Sequence, residues 1–349
     1  MWSRPVPDLA ALDPSATLLV FGGAALLIAL LGARMANLAD VIADRTGLGE
    51  ALVGAVLLGA GTSIAGIVTS VSTASTGHPA LSVSNAIGGI AAQTAFLAIA
   101  DIFYRRVNLE HAAASAVNLT QATVLIGMMA VPLIAWAGPD YSLFGVHPAT
   151  PILVGVYLIG LHNAHRQHER PMWQPLRTDQ TRKDEPDDTS QYGSSWRVGG
   201  QFAALVIAVG LCGYVVGETG IAIAGDYGIS ESVVGGLLTA VATSLPELVT
   251  TIAAVRVGAP QLAFGGIIGG NMFDALFISA SDVAYRNGSI YHAISEREIF
   301  WYGLTIVMTA VLLTGMLRRE RQGPAGIGWE STLLLGLYTG GAALQISMG

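Results

Sequence analysis

Two acidic side chains interrupt long apolar stretches in the second half of the chain. Glu247 follows Thr243, Ser244 and Pro246 within a stretch made mostly of Ala, Val, Leu and Ile. An unpaired charged carboxylate in the middle of a membrane costs at least about 2.5 kcal/mol, so we expect Glu247 to hold a cation or a proton. A protonated Glu hydrogen-bonded to a neighbouring helix is the alternative, purely structural interpretation.

The second carboxylate, Asp274, ends the segment 269–274 (Gly-Gly-Asn-Met-Phe-Asp) in the next apolar stretch. Paired glycines permit a close approach or a break of the helix backbone. Two buried carboxylates that lie close together cannot both remain charged without a cation between them. A cation and a proton, or two cations, then compete for the same negative charge. This pattern predicts an ion-exchange site, to which Pro246 adds carbonyl oxygens freed one turn earlier in its helix.

The elements that carry these residues must cross a membrane. Of the 349 residues, 52% are hydrophobic and 12% are charged, about half the charged share of a soluble domain. Apolar stretches near spanning length recur along the chain, and backbone exposed to lipid must be helical. We predict an all-α polytopic membrane protein with about ten transmembrane helices, here called spans 1 to 10, at residues 16–38, 50–74, 80–104, 113–137, 149–163, 198–218, 231–255, 261–284, 298–317 and 328–347.

The basic residues orient the spans. Of the 17 Lys and Arg residues, 14 fall at the helix ends and loops after spans 1, 3, 5, 7 and 9, and cytoplasmic loops are the ones that collect such residues. We therefore predict that both termini lie outside and that the hydrophilic linker 164–197 is cytoplasmic. The expected location is a prokaryotic inner membrane, with one five-helix repeat over 1–163 and the other over 198–349.

An internal repeat at a constant offset of 181 residues supports two inverted halves. The pairs include a Thr-Ser dipeptide, paired glycines, Asp, Tyr and Arg. They are 62–63 with 243–244, 87–89 with 268–270, and 101, 104 and 105 with 282, 285 and 286. Small-residue packing in membrane helices would instead give scattered glycine matches. Five spans separate the copies, so the halves have opposite topology, an arrangement that places a substrate site near the membrane midplane.

The segments 243–247 (Thr-Ser-Leu-Pro-Glu) and 269–274 resemble the second α-repeat of the calcium/cation antiporter superfamily, which includes the sodium/calcium exchangers. The resemblance covers most of the chain and implies the sodium/calcium exchanger fold. In that fold, spans 2, 3, 7 and 8 enclose the ions, and spans 1 and 6 slide across them to alternate access. By position, the resemblance implies as ion ligands the Ala240 carbonyl, Thr243, Ser244, Glu247 and Asp274, and in the first repeat Thr62, Ser63 and Gln93.

The first repeat departs from the family pattern. Gly66 stands where a Glu is expected, Ala65 replaces the proline, and Ile90 replaces an Asn, whereas Gln93 retains an amide. Calcium takes six to eight oxygen ligands, and its affinity rises with the number of carboxylates. Only two carboxylates remain, so a monovalent cation exchanged for a proton is an alternative cargo.

We therefore predict a secondary active cation antiporter that exchanges Ca²⁺, or another cation, for Na⁺ or H⁺. The ions bind transiently, and no resident cofactor, enzymatic activity or nucleic-acid partner is expected. Its partners are the lipid bilayer and inorganic cations, and the sequence leaves the oligomeric state open. A monovalent cation/H⁺ exchanger, or a non-transporting scaffold or sensor that retains the fold, is the alternative.

A structural ion pair between Asp282 and Arg286, repeated by Asp101 and Arg105, is also predicted from their i,i+4 spacing.

Overall fold

The structure is a computed structural model that describes residues 12–46, 59–104, 107–169, 193–320 and 327–348. Helices account for most of this part of the chain, and one of them is a π-helix, at Val234–Thr239. The others are α1 (Pro14–Thr46), α2 (Gly59–Thr62), α3 (Ile64–Ser75), α4 (Pro79–Phe103), α5 (Leu109–Ala113), α6 (Ala116–Ala137), α7 (Ala149–Glu169), α8 (Ser195–Tyr227), α9 (Glu231–Val233), α10 (Ala240–Thr243), α11 (Leu245–Val257), α12 (Pro260–Asp274), α13 (Leu276–Ala284), α14 (Glu296–Arg318) and α15 (Trp329–Ser347).

The predicted all-α fold class is confirmed, because each predicted span has a helical counterpart among the residues that the structure describes. Six described helices are long and apolar enough to cross a membrane, and a seventh is counted if the bent pair Glu231–Thr243 and Leu245–Arg256 forms one span. Several helices are longer than their spans: α1 reaches Thr46, and α8 occupies Ser195–Tyr227. The predicted spans ended where apolar residues gave way to polar ones, whereas a helix continues as long as its backbone hydrogen bonds do.

The helix boundaries repeat at the same 181-residue offset as the sequence. Helix α1 begins at 14 and ends at 46, and α8 begins at 195 and ends at 227. Helices α4 and α12 begin at Pro79 and Pro260, where proline suits the first helical turn. The described parts of the two halves are thus built from matching elements. The linker prediction falls largely on residues outside the described ranges, so the domain division remains a prediction.

Both halves contain a helix that is broken at a serine. Helix α2 stops at Thr62 and α3 resumes after Ser63, and α10 stops at Thr243 and α11 resumes after Ser244. The second break bends the chain by 46°. Pro246 contributes to it, since proline has no N–H to donate to the carbonyl four residues earlier. A π-helix, which is often found next to functional sites, precedes this break.

Helices α4 and α12 form the centre of the molecule. In the most apolar part of each helix, 83% of the residues of α4 are buried, compared with 22% of those of α1 and 17% of those of α8. The peripheral helices α1 and α8 cross the two breaks through glycines. A methyl group at Gly32 would lie 2.4 Å from Cγ of Pro246, and one at Gly213 would lie 2.4 Å from the carbonyl oxygen of Ala65. These two contacts are related by the repeat offset.

The predicted ion pair between Asp282 and Arg286 is wrong. The buried Asp282 carboxylate accepts hydrogen bonds from the backbone N–H groups of His147 and Ile290 and from the Thr150 hydroxyl. Arg286 is exposed, and no ion pair joins it to Asp282 in the described part of the chain. A spacing of four residues places two side chains on one helix face. The donors to Asp282 come instead from other segments of the chain, and the spacing gives no sign of them. Arg105, of the second predicted pair, lies outside the described residues.

Candidate functional site

Glu247 lies in the first turn of α11, directly after the break at Ser244. Its side chain is buried, and neither carboxylate oxygen has a hydrogen-bond partner of normal geometry in the described residues. Thr62 faces this carboxylate from the broken helix of the other half, and Asp274 lies close enough to interact with it electrostatically. The position suits an anion, because the N-terminus of a helix carries a partial positive charge. An isolated carboxylate at this depth requires a positive partner or a proton.

Asp274 is the last residue of α12, where the helix breaks before α13. Its Oδ1 accepts a hydrogen bond of 2.5 Å from the Ser63 hydroxyl, and its Oδ2 accepts one of 2.6 Å from the Gln93 amide. The Gln93 amide also reaches the Ser244 hydroxyl, at 3.2 Å. The site therefore joins both broken helices to α4 and α12.

The geometry of this cluster follows the internal repeat. Ser63 is equivalent to Ser244, and Gln93 is equivalent to Asp274, at the offset of 181 residues. The Ser63–Asp274 contact thus has its counterpart in the Ser244–Gln93 contact. Gln93 and Asp274 are equivalent to each other and are hydrogen-bonded, so they meet where the two halves face one another. This is the location that inverted repeats give to a transported substrate.

Several buried oxygen atoms near this point have no hydrogen-bond partner of normal geometry among the described residues. They are both carboxylate oxygens of Glu247, Oε1 of Gln93 and Oδ1 of Asn271. Buried polar atoms are normally satisfied, and carboxylate and amide oxygens are the ligands that hard cations prefer. The cluster therefore has the chemistry of a cation site rather than of a closed hydrogen-bond network.

The first half supplies no carboxylate at the position equivalent to Glu247, where Gly66 stands. A methyl group placed at Gly66 would lie 2.6 Å from Cε2 of Phe277. The phenyl ring thus fills the space into which a longer side chain would project. Ile90, at the position equivalent to Asn271, is buried and apolar. The site is consequently asymmetric, with both of its acidic groups from the second half.

The predicted site residues separate into two groups. The structure brings together Ser63, Gln93, Ser244 and Asp274 through hydrogen bonds, and places Thr62 opposite Glu247. Two others have their polar groups engaged within one helix. The Thr243 hydroxyl donates to the carbonyl of Thr239 at 2.9 Å and approaches that of Ala240 at 3.3 Å, and the Ala240 carbonyl also accepts from the Ser244 N–H.

Two buried asparagines were missed as site residues. Asn271 donates to the Thr94 hydroxyl at 3.1 Å, one turn before Asp274 on α12. The side chain of Asn85 accepts from Thr239 at 2.8 Å and donates to the carbonyl of Gly66 at 3.2 Å. Both therefore tie α4 to the broken helices or to α12. An amide within an apolar span was the signal that could have identified them.

Three histidines, His162, His165 and His168, recur along α7. His162 is exposed and the side chain of His168 lies outside the described residues. Among the residues that the structure describes, no group of three or more His, Cys, Asp or Glu side chains is placed to hold a metal ion. The candidate cation site thus rests on two carboxylates and on neutral oxygen ligands.

Comparison with known proteins places most of the chain in one family model. The model described as "Sodium/calcium exchanger protein" matches residues 16–161 and 198–347. Among curated relatives, Escherichia coli inner membrane protein YrbG is 31% identical over 126 residues, which is 36% of each chain. Sodium/calcium exchanger MaX1 of Methanosarcina acetivorans is 33% identical over 111 residues, or 32% of this chain and 30% of that one. The alignments thus span about a third of the length of these relatives.

Two kinds of solved structure share the fold. The sodium-calcium exchanger NCX_Mj superposes with a TM-score of 0.61 at 19% identity, over 94% of this chain and 97% of that one. The H⁺/Ca²⁺ exchanger CAX superposes with a TM-score of 0.67 at 14% identity, over 95% of this chain and 86% of that one. At this level of identity, the similarity establishes the common fold.

Proposed function

The chain belongs to the sodium/calcium exchanger protein family, and we propose that it is a secondary active antiporter that exchanges Ca²⁺ for Na⁺ or H⁺. The family is one of membrane transporters rather than enzymes. The observation that carries the proposal is the pair of buried carboxylates, Glu247 and Asp274, at the junction of two broken helices. Glu247 has no other charge partner among the described residues.

The exchange follows from competition for these two negative charges. Two carboxylates balance one Ca²⁺, two Na⁺ or two protons, so the binding of one species displaces another. The Ser63 hydroxyl and the Gln93 amide, which hydrogen-bond to Asp274, add neutral oxygen ligands to the site. Thr62 and Ser244 lie at the two breaks. The Thr243 hydroxyl comes directly before Ser244 on α10, and the Ala240 carbonyl lies one turn earlier.

Alternating access requires elements that move past the site. Helices α1 and α8 are the candidates, since little of either is buried and they cross the two breaks at Gly32 and Gly213. Glycine at a crossing lets two backbones approach closely. We infer that α1 and α8 slide together over the broken helices and open the site to each side of the membrane in turn.

The orientation in the membrane is part of the same proposal. The excess of Lys and Arg after the odd-numbered spans favours external termini and a cytoplasmic linker between α7 and α8. Bacterial and archaeal relatives with related sequences support a prokaryotic inner membrane as the location.

Flux into proteoliposomes tests the proposed function. We expect ⁴⁵Ca²⁺ uptake by the purified full-length protein when the vesicles are loaded with Na⁺ or with acid, and the more effective gradient identifies the counter-ion. Empty liposomes and vesicles with equal solutions on both sides are the controls. Absence of gradient-driven flux of Ca²⁺, Na⁺ and H⁺ alike would support a scaffold or sensor that retains the fold and would refute antiport.

One observation favours a second candidate, the exchange of a monovalent cation for H⁺. The ring of Phe277 occupies the space beside Gly66, and the site has no third carboxylate there. A site with fewer carboxylates binds Ca²⁺ more weakly. Uptake of ²²Na⁺ driven by a pH gradient, without competition from Ca²⁺, would distinguish this candidate from calcium exchange.

The double variant Gly66→Glu, Phe277→Ala is expected to raise the apparent affinity for Ca²⁺ about tenfold, since affinity increases with the number of carboxylate ligands. Removal of the ring makes room for the new side chain. Gly66→Glu alone is expected to fold poorly, because its Cβ would overlap the ring of Phe277. The measurement is the inhibition of Na⁺ flux by Ca²⁺. Phe277→Ala alone is the matched control, and an unchanged ion preference in the double variant would contradict this account of the site.

A further inference from the structure

Two polar clusters that are equivalent under the repeat lie near the C-terminal ends of α4 and α13. In the second half, Oδ2 of Asp282 accepts hydrogen bonds from the His147 N–H at 2.8 Å and the Thr150 hydroxyl at 2.7 Å, and Oδ1 accepts from the Ile290 N–H at 3.2 Å. The Thr150 hydroxyl oxygen in turn lies 2.9 Å from the hydroxyl of Tyr291. This set is called the tyrosine cluster.

The equivalent aspartate of the first half, Asp101, has the same arrangement of partners. Its Oδ2 accepts hydrogen bonds from the Gly328 N–H at 2.9 Å and the Ser331 hydroxyl at 2.8 Å, and its Oδ1 accepts from the Leu109 N–H at 2.8 Å. All four residues are equivalent to members of the tyrosine cluster at the offset of 181 residues. Where the tyrosine cluster has Tyr291, this glutamate cluster has Glu110, whose Oε1 lies 3.2 Å from the Ser331 hydroxyl oxygen.

The replacement of Tyr291 by Glu110 changes which groups can donate a proton within the cluster. A serine or threonine hydroxyl has one proton to donate. In the tyrosine cluster, Thr150 donates to Asp282 and accepts from Tyr291, whose phenol carries a proton at neutral pH. In the glutamate cluster, Ser331 donates to Asp101 over the shorter of its two contacts. Glu110 can complete the chain as Tyr291 does only if its carboxyl group is protonated.

We propose that Glu110 is a proton-binding site, separate from the cation site, which holds a proton at neutral pH and donates it to Ser331 to complete the hydrogen-bond chain to Asp101. This chain joins α5 to the first turn of α15 and to the end of α4. In the orientation proposed above, it lies at the cytoplasmic end of the molecule. In the same orientation the tyrosine cluster lies at the external end, and it makes the same connection with the phenol of Tyr291 in place of a carboxyl group.

The surroundings of Glu110 support the proposal. Glu110 and Glu330 are each 1% exposed, and Oε2 of each has no hydrogen-bond partner among the described residues. A methyl group at Gly328 would lie 2.8 Å from Oε2 of Glu330 and 3.2 Å from Oε2 of Glu110, so both oxygens face the same backbone position. A buried carboxyl beside other carboxylates favours its neutral form. Burial, with the charges of Asp101 and Glu330, raises the pKa of Glu110 to about 8.

Charged groups on the neighbouring elements have other partners or add negative charge. Arg318 pairs with Glu320 at 2.6 Å, and Arg319 donates to the backbone carbonyl of His111. The titratable or charged side chains on the elements that pack around Glu110 are Asp101 of α4, His111 of α5, Asp274 of α12, Glu296, Arg297, Glu298, Tyr302 and Arg318 of α14, Arg319 and Glu320 just after it, and Glu330 and Tyr338 of α15.

The direction of the pH effect follows from the raised pKa. An unfolded chain releases the Glu110 proton near pH 4.5, whereas the folded protein retains it up to about pH 8. The folded state therefore loses stability as the pH rises between these two values, and the loss is complete above the higher one. The deprotonated Glu110 repels Asp101 and Glu330 and breaks the hydrogen bond to Ser331.

Infrared titration of the purified full-length protein tests the proton directly. We expect the wild type to show at pH 7 a protonated-carboxyl band that Glu110→Gln lacks, and this band should disappear with a midpoint near pH 8. Glu320→Gln, a substitution of the same kind at a more exposed residue just after α14, should retain it. Identical carboxyl bands in the wild type and Glu110→Gln at pH 6 would overturn the proposal. Loss of the band when Na⁺ or Ca²⁺ is added at pH 7 would overturn it too, because the ligand would then be a cation.

Thermal unfolding in detergent is the second measurement. The melting temperature of the wild type should fall between pH 7 and pH 9 relative to that of Glu110→Gln, whose amide donates at every pH. Parallel curves would contradict the proposal, since a purely structural contact has no such pH dependence. If Glu110→Gln does not fold, Ser331→Ala serves instead. Removal of the acceptor should shift the frequency of the same carboxyl band, and an unshifted band would show that Glu110 does not donate to Ser331.

Discussion

Replacement of Glu247 by Gln is expected to reduce gradient-driven cation flux by roughly 100-fold or more, given that loss of even an outer-shell partner of a metal ligand costs 10- to 100-fold. Gln preserves the size of the side chain and removes its charge. The site would then hold one acidic group, Asp274, which already accepts hydrogen bonds from Ser63 and Gln93. A single negative charge cannot balance a divalent cation or couple it to two monovalent ions.

The measurement is ⁴⁵Ca²⁺ and ²²Na⁺ flux into proteoliposomes, normalised to folded protein, beside binding of each ion at equilibrium. Glu296→Gln is the control, because Glu296 is exposed in the first turn of α14 and is not part of the buried cluster around Asp274. It should transport as the wild type does. Flux of Glu247→Gln within a few-fold of the wild type would show that the carboxylate is not a ligand, and the position of the site would have to be abandoned.

The fold was largely predictable because its main constraints, the apolar stretches and the internal repeat, are properties of the sequence itself. Spanning helices follow from the length and apolar character of each stretch, and the constant offset between the halves implies their inverted arrangement. The acidic residues of the site were equally visible, because a carboxylate such as Glu247 is expensive within a membrane and rarely occurs there without a function. Both features depend on residue types and spacing alone.

What the sequence did not reveal depends on contacts between distant segments. The loss of a carboxylate at Gly66 was visible, but the ring of Phe277 that fills its place was not. The spacing of Asp282 and Arg286 predicted an ion pair, whereas Asp282 is satisfied by donors from a loop and a helix more than 130 residues away. The sequence alone does not distinguish a carboxylate that accepts hydrogen bonds from a distant segment from one that pairs with an arginine.

Gly213→Val is expected to have the second-largest effect on transport, because Gly213 lies where α8 crosses closely over the broken helix of the first half. The new Cβ would lie 2.4 Å from the carbonyl oxygen and 2.7 Å from Cα of Ala65. Both of these are backbone atoms, so no rotamer change can relieve the overlap. Overpacking of this kind typically costs about 1–3 kcal/mol, and we expect a lower melting temperature in detergent together with flux reduced at least about tenfold.

Gly200→Val, on the same helix, is the control, since nothing lies within 4 Å of a methyl group at that position. The two variants share any cost of placing Val in α8, so the difference between them reports the crossing alone. If Gly213 serves only packing, flux per folded protein will match that of the control. If α8 has to slide past Ala65, the protein that remains folded will bind cations and yet transport them slowly. Equal flux and equal melting temperatures for the two variants would contradict the close crossing itself.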